Sequence, residues 1–182
     1  MEAIALSRAR VIASHSGAKA VFDNPRNLDD AQLRAIRDKG GVAQMVAYRS
    51  YVAEPDPALA DALDALRDSL GLTSSAAFRD ATPETLAEYR RERAALRAAH
   101  EDVTLAQFVD HIDHAVSVAG IDHVGLSGDF DGGGGVAGWD GADDSLNVTL
   151  ELARRGYTAD EIAKLWGRNV LRVMRAVEAA AR

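Results

Sequence analysis

The chain has 182 residues, enough for one domain with a sizeable core, and its 47% hydrophobic and 27% charged content marks it as globular rather than disordered. A formal net charge of -7 argues against a nucleic-acid partner, which needs clustered Lys and Arg, and fits a cytosolic enzyme. The lack of cysteine excludes disulfides and thiolate metal sites, so any metal has to sit on His, Asp or Glu. No apolar run approaches the roughly 20 residues of a membrane span, and the first residues have neither the basic nor the apolar segment of a signal peptide.

Residues 1–10 read as the tail of a helix running directly into a strand, an abrupt start that suggests the carboxyl-terminal portion of a longer protein. Residues 11–15 are a strand that stops at His15. Asn27 is placed to cap a helix over residues 29–39, with Asp29 and Asp30 in its first turn, Gly40 past its end, and Leu33, Ile36 and the stem of Lys39 inward. Residues 41–48 form a second strand. From Pro55 to His100 the composition shifts to Ala, Leu, Arg and Glu. Asp56-Pro57 and Thr82-Pro83-Glu84 each start a helix there, the first carrying Leu59, Leu63, Leu66 and Leu70 at helical spacing. Residues 55–100 are therefore read as a helical insertion, either a lid or peripheral packing.

Thr104-Leu105-Ala106-Gln107 is a capping box opening a helix that Gly120 stops after Ala119. Residues 124–127 are a third strand, ending at Gly128-Asp129-Phe130-Asp131-Gly132. The glycine-dense stretch 131–141 is irregular, and residues 132–135 suggest a mobile loop at the mouth of a site. A helix over 145–155 ends at Gly156, Thr158-Ala159-Asp160-Glu161 caps a short one, and a last helix over 169–181 offers Leu171, Val173, Met174 and Val177 for packing.

Three strands separated by helices imply parallel β/α units, because parallel strands need long crossovers. A complete eight-stranded barrel takes about 250 residues. The expected fold class is α/β: a small open sheet or a partial (β/α) barrel with parallel strands and a helical insertion, within one domain over residues 1–182.

In such a fold, metals and substrates bind at the carboxyl ends of the strands, where His15 and Asp129 stand. That pair suggests a metal-assisted hydrolase. On the residues alone, His15 reads equally as a hydrogen-bonded histidine at a strand end, and Asp129 and Asp131 as turn formers before glycines. Arg26 is either a surface arginine before a helix or a bidentate clamp for a free carboxylate. His111 and His114, at i, i+3 spacing, could bridge a metal from one helix face. His123 opens a strand at the end away from the site, and His100 is expected in solvent. The glycine run lacks the lysine and the order of a phosphate loop.

Several collinear stretches together resemble the membrane (renal) dipeptidase family of zinc hydrolases: Ser14-His15-Ser16, Asn24-Pro25-Arg26-Asn27, Asp110-His111-Ile112-Asp113-His114, Gly120-Ile121-Asp122-His123-Val124-Gly125, Gly128-Asp129-Phe130-Asp131-Gly132, Leu152-Ala153-Arg154-Arg155-Gly156-Tyr157 and Gly167-Arg168-Asn169-Val170-Leu171-Arg172-Val173. The resemblance covers nearly the whole chain except the insertion. It implies a β/α barrel, a two-zinc site and dipeptide substrates. It makes His15 a zinc ligand, Arg26 the holder of the substrate carboxylate, and Asp129 the group that handles a proton near the attacking water. It also puts His111 and His114 in an outer helix away from the metals.

The family's His-x-Asp pair, bridging glutamate and another metal-binding histidine lie upstream of the matched region, so His15 is the one metal-ligand position of five found here, and this chain alone is expected to be inactive. Gly17 stands where a small hydroxyl residue is common. The competing expectation is a non-catalytic binding or interaction domain on an incomplete barrel, whose unpaired strand edges favour homo-oligomers.

Overall fold

The structure, a computed structural model, describes residues 1–54, 56–100 and 102–180. Pro55, which opens the predicted insertion, and Ala181, which closes the predicted last helix, lie outside the described residues. The chain divides into two compact units, Glu54–Asp102 and the remainder.

In chain order the larger unit begins with α1 (Glu2–Leu6), β1 (Ile12–Ser16), α2 (Asp30–Asp38), β2 (Val42–Val46) and α3 (Arg49–Val52). The smaller unit contributes α4 (Pro57–Ser69), α5 (Ser75–Asp80) and α6 (Pro83–Ala99). The larger unit resumes with α7 (Leu105–Ala119), β3 (Val124–Ser127), α8 (Ser145–Arg154), α9 (Ala159–Ala163) and α10 (Asn169–Ala180).

The three strands form one parallel sheet in the order β1-β2-β3, so β2 is central. Parallel strands linked by helical crossovers are the α/β arrangement expected of a partial barrel. Ala43 and Met45 on one face of β2, and Ala47 just past its end, are buried with Val124 and Leu126 of β3. Against them lie Leu33 and Ile36 of α2 and Phe108, Val109, Ile112 and Ala115 of α7. The spacing of these residues puts the apolar stripe of each helix on the sheet.

Helix α2 is capped differently from the expectation. Asp29, not Asn27, is the cap: its side chain accepts from the Gln32 N–H at 2.7 Å, and the Gln32 side chain accepts from the Asp29 N–H. Asn27 is buried instead, for reasons that concern the site. The capping boxes at Thr104 and Thr158 form as their sequences imply. Gly120, at φ 86°, ends α7 in a conformation that favours glycine. In α10, Val173 is buried, but Leu171 and Met174, expected to pack, are 46% and 47% exposed.

In the smaller unit Asp56 caps α4 and Thr82 caps α6, as the Pro-containing starts imply. Leu59 and Tyr89 are buried there, and the Phe78 ring of α5 meets Tyr89 edge-on at 5.2 Å. His100, expected in solvent, is only partly exposed and pairs with Asp56 at 3.1 Å, because α4 and α6 run antiparallel and bring the end of one to the start of the other. Among the described residues, no helix is long and apolar enough to cross a membrane.

Candidate active site

His15 owes its place to an irregularity in β1. Ala13 pairs with Ala43 and Ser16 with Met45, so three steps on β1 match two on β2. The extra residue is a bulge at Ser14–His15, the device that re-aims a side chain at a strand end. The strand continues one residue past the predicted stop, to Ser16. The imidazole of His15 is 43% exposed, and its Nδ1 lies 2.9 Å from Ser14 Oγ.

Asp129 follows β3 directly. Its Oδ1 lies 3.7 Å from His15 Nε2, with the carboxylate 30% exposed. The two groups come from the outer strands and meet at the carboxyl end of the sheet. At 3.7 Å they form an ion pair when the imidazole is protonated, but no direct hydrogen bond. Asp129 sits at φ 51° and ψ 34°, and among the described residues it is the one non-glycine with positive φ.

The following turn is built around it. The N–H groups of Gly132 and Gly134 donate to the Asp129 carbonyl at 3.0 and 2.7 Å. A side chain at Gly132 would collide with the Asp129 carboxylate. Asp131 is exposed and does not join the pair. The loop expected to be mobile is anchored: Gly134, Gly135 and Val136 are buried. Beyond them Trp139 packs between Phe130 and Phe108, at 5.4 and 5.5 Å.

Arg26 lies on the loop that leaves β1. It is exposed, its guanidinium 5.6 Å from the centre of the Tyr51 ring, and Tyr51 in turn packs on Tyr48 at 4.8 Å. Among the described residues no hydrogen bond or ion pair joins Arg26 to the His15–Asp129 pair. Sequence reasoning missed Ser14 and Tyr51; the available signals were a hydroxyl beside His15 and two tyrosines just after β2.

The remaining histidines of this unit face structural partners. His111 is buried, accepting from the Ala18 N–H at 2.9 Å and lying 2.8 Å from the Val52 carbonyl. Burial pushes its imidazole below its ordinary value of 6.5. His114 Nε2 is 2.7 Å from Asp30, and that hydrogen bond holds the Asp30 carboxyl below the usual carboxylate range. His123 binds the Gly41 carbonyl. Among the described residues, no three of His, Asp and Glu gather where they could hold a metal ion. His15 is thus an available donor, but the described residues do not complete a metal site.

Comparison with known proteins places this geometry in a family. The profile of the membrane dipeptidases, peptidase family M19, matches residues 1–182. A protein named dipeptidase ataJ from Aspergillus terreus is 29% identical over 178 residues, covering 97% of this chain and 33% of its own length. An uncharacterized Klebsiella pneumoniae protein encoded in the pqqA 5' region is 32% identical over 173 residues, covering 92% of this chain and 46% of its own. The crystal structure of the probable dipeptidase PvdM from Pseudomonas aeruginosa superposes with a TM-score of 0.72 at 37% identity, over 97% of this chain and 47% of that one. A Rhodobacter sphaeroides metallopeptidase, liganded with a phosphinate mimic of L-Ala-D-Ala, shares the fold at a TM-score of 0.65 and 22% identity, over 95% of this chain and 38% of that one. The chain thus spans between a third and a half of the length of these proteins, and it belongs to the membrane dipeptidase family, peptidase family M19.

Proposed function

We propose that this chain supplies the carboxyl-terminal part of the active site of a zinc-dependent dipeptidase. The observation that carries the reading is the meeting of His15 and Asp129 at the carboxyl end of the sheet, 3.7 Å apart and from strands that are not neighbours. Dipeptides are the substrate class because relatives carry the name dipeptidase and one shared-fold structure holds a dipeptide mimic.

Each residue then has one task. His15 would supply an imidazole nitrogen to zinc, and the other ligands of a two-ion site would come from parts of the protein beyond this chain. Arg26 pairs its planar fork with the free carboxylate of the dipeptide, a geometry lysine cannot reproduce. Asp129 handles the proton that leaves the attacking water and reaches the departing amine.

In the complete protein, Asp129→Asn lowers dipeptide turnover by about 10²- to 10⁴-fold, the usual worth of a general acid–base group, and leaves zinc content unchanged by elemental analysis. His15→Ala loses zinc. Near-normal turnover of Asp129→Asn would remove that residue from the chemistry.

The second reading, a binding or interaction domain, is favoured by the two outer strands of the open sheet. Unpaired strand edges are templates for association.

A further inference from the structure

The loop over residues 17–28 connects the two ends of the proposed site, with His15 just before it and Arg26 near its far end. Two buried side chains that take no part in the proposed reaction fasten it. At its start the Gly17 N–H donates to Asn27 Oδ1 at 2.7 Å, and the Ala18 N–H donates to His111 Nδ1 at 2.9 Å. Because Nδ1 accepts, the proton of the neutral ring is on Nε2, which donates to the Val52 carbonyl at 2.8 Å. The Asn27 amide donates to the Phe22 carbonyl at 3.0 Å and to the Tyr51 carbonyl at 2.7 Å.

Both side chains therefore tie the β1 end to α3, the short helix whose Tyr51 ring lies beside the Arg26 guanidinium. Asn24 adds a third tie, from its side-chain amide to the Ser50 carbonyl at 2.7 Å. His111 is 1% and Asn27 5% exposed. The clasp leaves no room for a side chain at position 17, where a Cβ would stand 2.5 Å from Asn27 Oδ1 and 2.9 Å from His111 Nδ1. Buried polar groups persist only when paired, so this network holds one arrangement of the loop and punishes others.

We propose that His111 and Asn27 are positioning residues that fix where Arg26 presents its guanidinium relative to His15, and so set the preference for substrates ending in a free carboxylate. This rests on the reading of Arg26 as the carboxylate clamp.

The test uses the complete protein, with KM and kcat measured for a dipeptide and for the same dipeptide with its carboxyl group amidated. The variants are Arg26→Ala, His111→Leu, His111→Asn, Asn27→Asp, and the last three combined with Arg26→Ala. His111→Leu and Asn27→Asp raise KM for the dipeptide about tenfold, the worth of one displaced charge-assisted hydrogen bond, and change kcat less. For the amide, and in the Arg26→Ala background, the same substitutions shift KM by less than about twofold, since the contact they position is absent. His111→Asn, which keeps an acceptor near the Ala18 N–H, falls between wild type and His111→Leu.

A lowered unfolding temperature with dipeptide KM unchanged, or an equal effect on the amide, would overturn the positioning role and leave the clamp intact. An unchanged KM in Arg26→Ala would overturn the clamp and this proposal with it. If His111→Leu does not fold, Asn27→Asp and His111→Asn decide between the same outcomes.

Discussion

Asp129 carries a side chain in the left-handed region, which costs most L-residues about 1–2 kcal/mol and which Asp and Asn enter most readily. The consequence separates fold from chemistry at one position. Asp129→Asn keeps the stability of the chain within about 0.5 kcal/mol, whereas Asp129→Val, β-branched and without a local hydrogen bond, costs about 1–2 kcal/mol. Urea denaturation of the two variants checks this; equal losses would mean that the turn does not depend on residue 129. The sequence showed Asp129 as an acidic residue at a strand end, followed by glycines. It could not show that His15 reaches it, because that pairing needs the bulge in β1, and a bulge leaves no composition signal at Ser14–His15. His111 was legible as structural only through the family resemblance. The i, i+3 spacing alone would have paired it with His114, while the structure turns the two to different partners.

Among the elements, α7 and α8 are joined by one side chain more than by any other. The Arg155 guanidinium donates to Asp110 and Asp113 of α7 at 2.6 Å each, to the Ala106 carbonyl at 2.6 Å, and to Glu151 of α8 at 2.8 Å. The Tyr157 hydroxyl adds a bond to Asp113 at 2.7 Å. Arg155→Ala costs about 1–3 kcal/mol, in the range for hydrogen bonds to charged groups, and Arg155→Lys recovers little of it, since an ammonium cannot serve the same fork. Hydrogen bonds from Arg154 and Arg155 hold the Glu151 carboxyl at about 2, below its ordinary 4.5. A lowered carboxyl pKa gives stability that is fully present above 4.5 and lost as pH falls toward about 2. Thermal unfolding between about pH 5 and pH 2 shows a steeper loss in the wild type than in Arg155→Ala; parallel curves would contradict the network.

The element boundaries that sequence reading reached best were those with local chemistry, as at Thr104, Thr158 and Gly120. It missed α5, a single short stretch whose cap, Ser74, has no periodic pattern behind it. It misplaced the α2 cap because Asn27 and Asp29 are equally good cap residues, and only the tertiary use of Asn27 distinguishes them.

For the whole molecule, the parallel α/β class followed from strands alternating with helices, and the partial extent of the barrel from the three strands and the length. What length could not convey is which edges stay open. Both outer strands of the sheet have one unpaired side, and Ile12 on β1 is 40% exposed. We therefore expect this chain, on its own, to self-associate, and sedimentation equilibrium to report dimers or larger species. A single monomeric species at high concentration would count against it.

The strand order also imposes a sequence of events in time. Pairing β1 with β2 closes a short loop containing α2, whereas pairing β2 with β3 must enclose α3, all of Glu54–Asp102 and α7. Loop-closure entropy rises with loop length, so the first pairing is the easier to form. A refolding chain therefore has His15 in place before Asp129 arrives. The pulse-labelled amide of Val42, which donates to the Val11 carbonyl, should gain protection from exchange before that of Ala47, which donates to the Ser127 carbonyl, and simultaneous protection would show that both strands dock in one step. The two halves of the proposed site are thus separated in folding as well as in sequence, with Asp129 joining after His15.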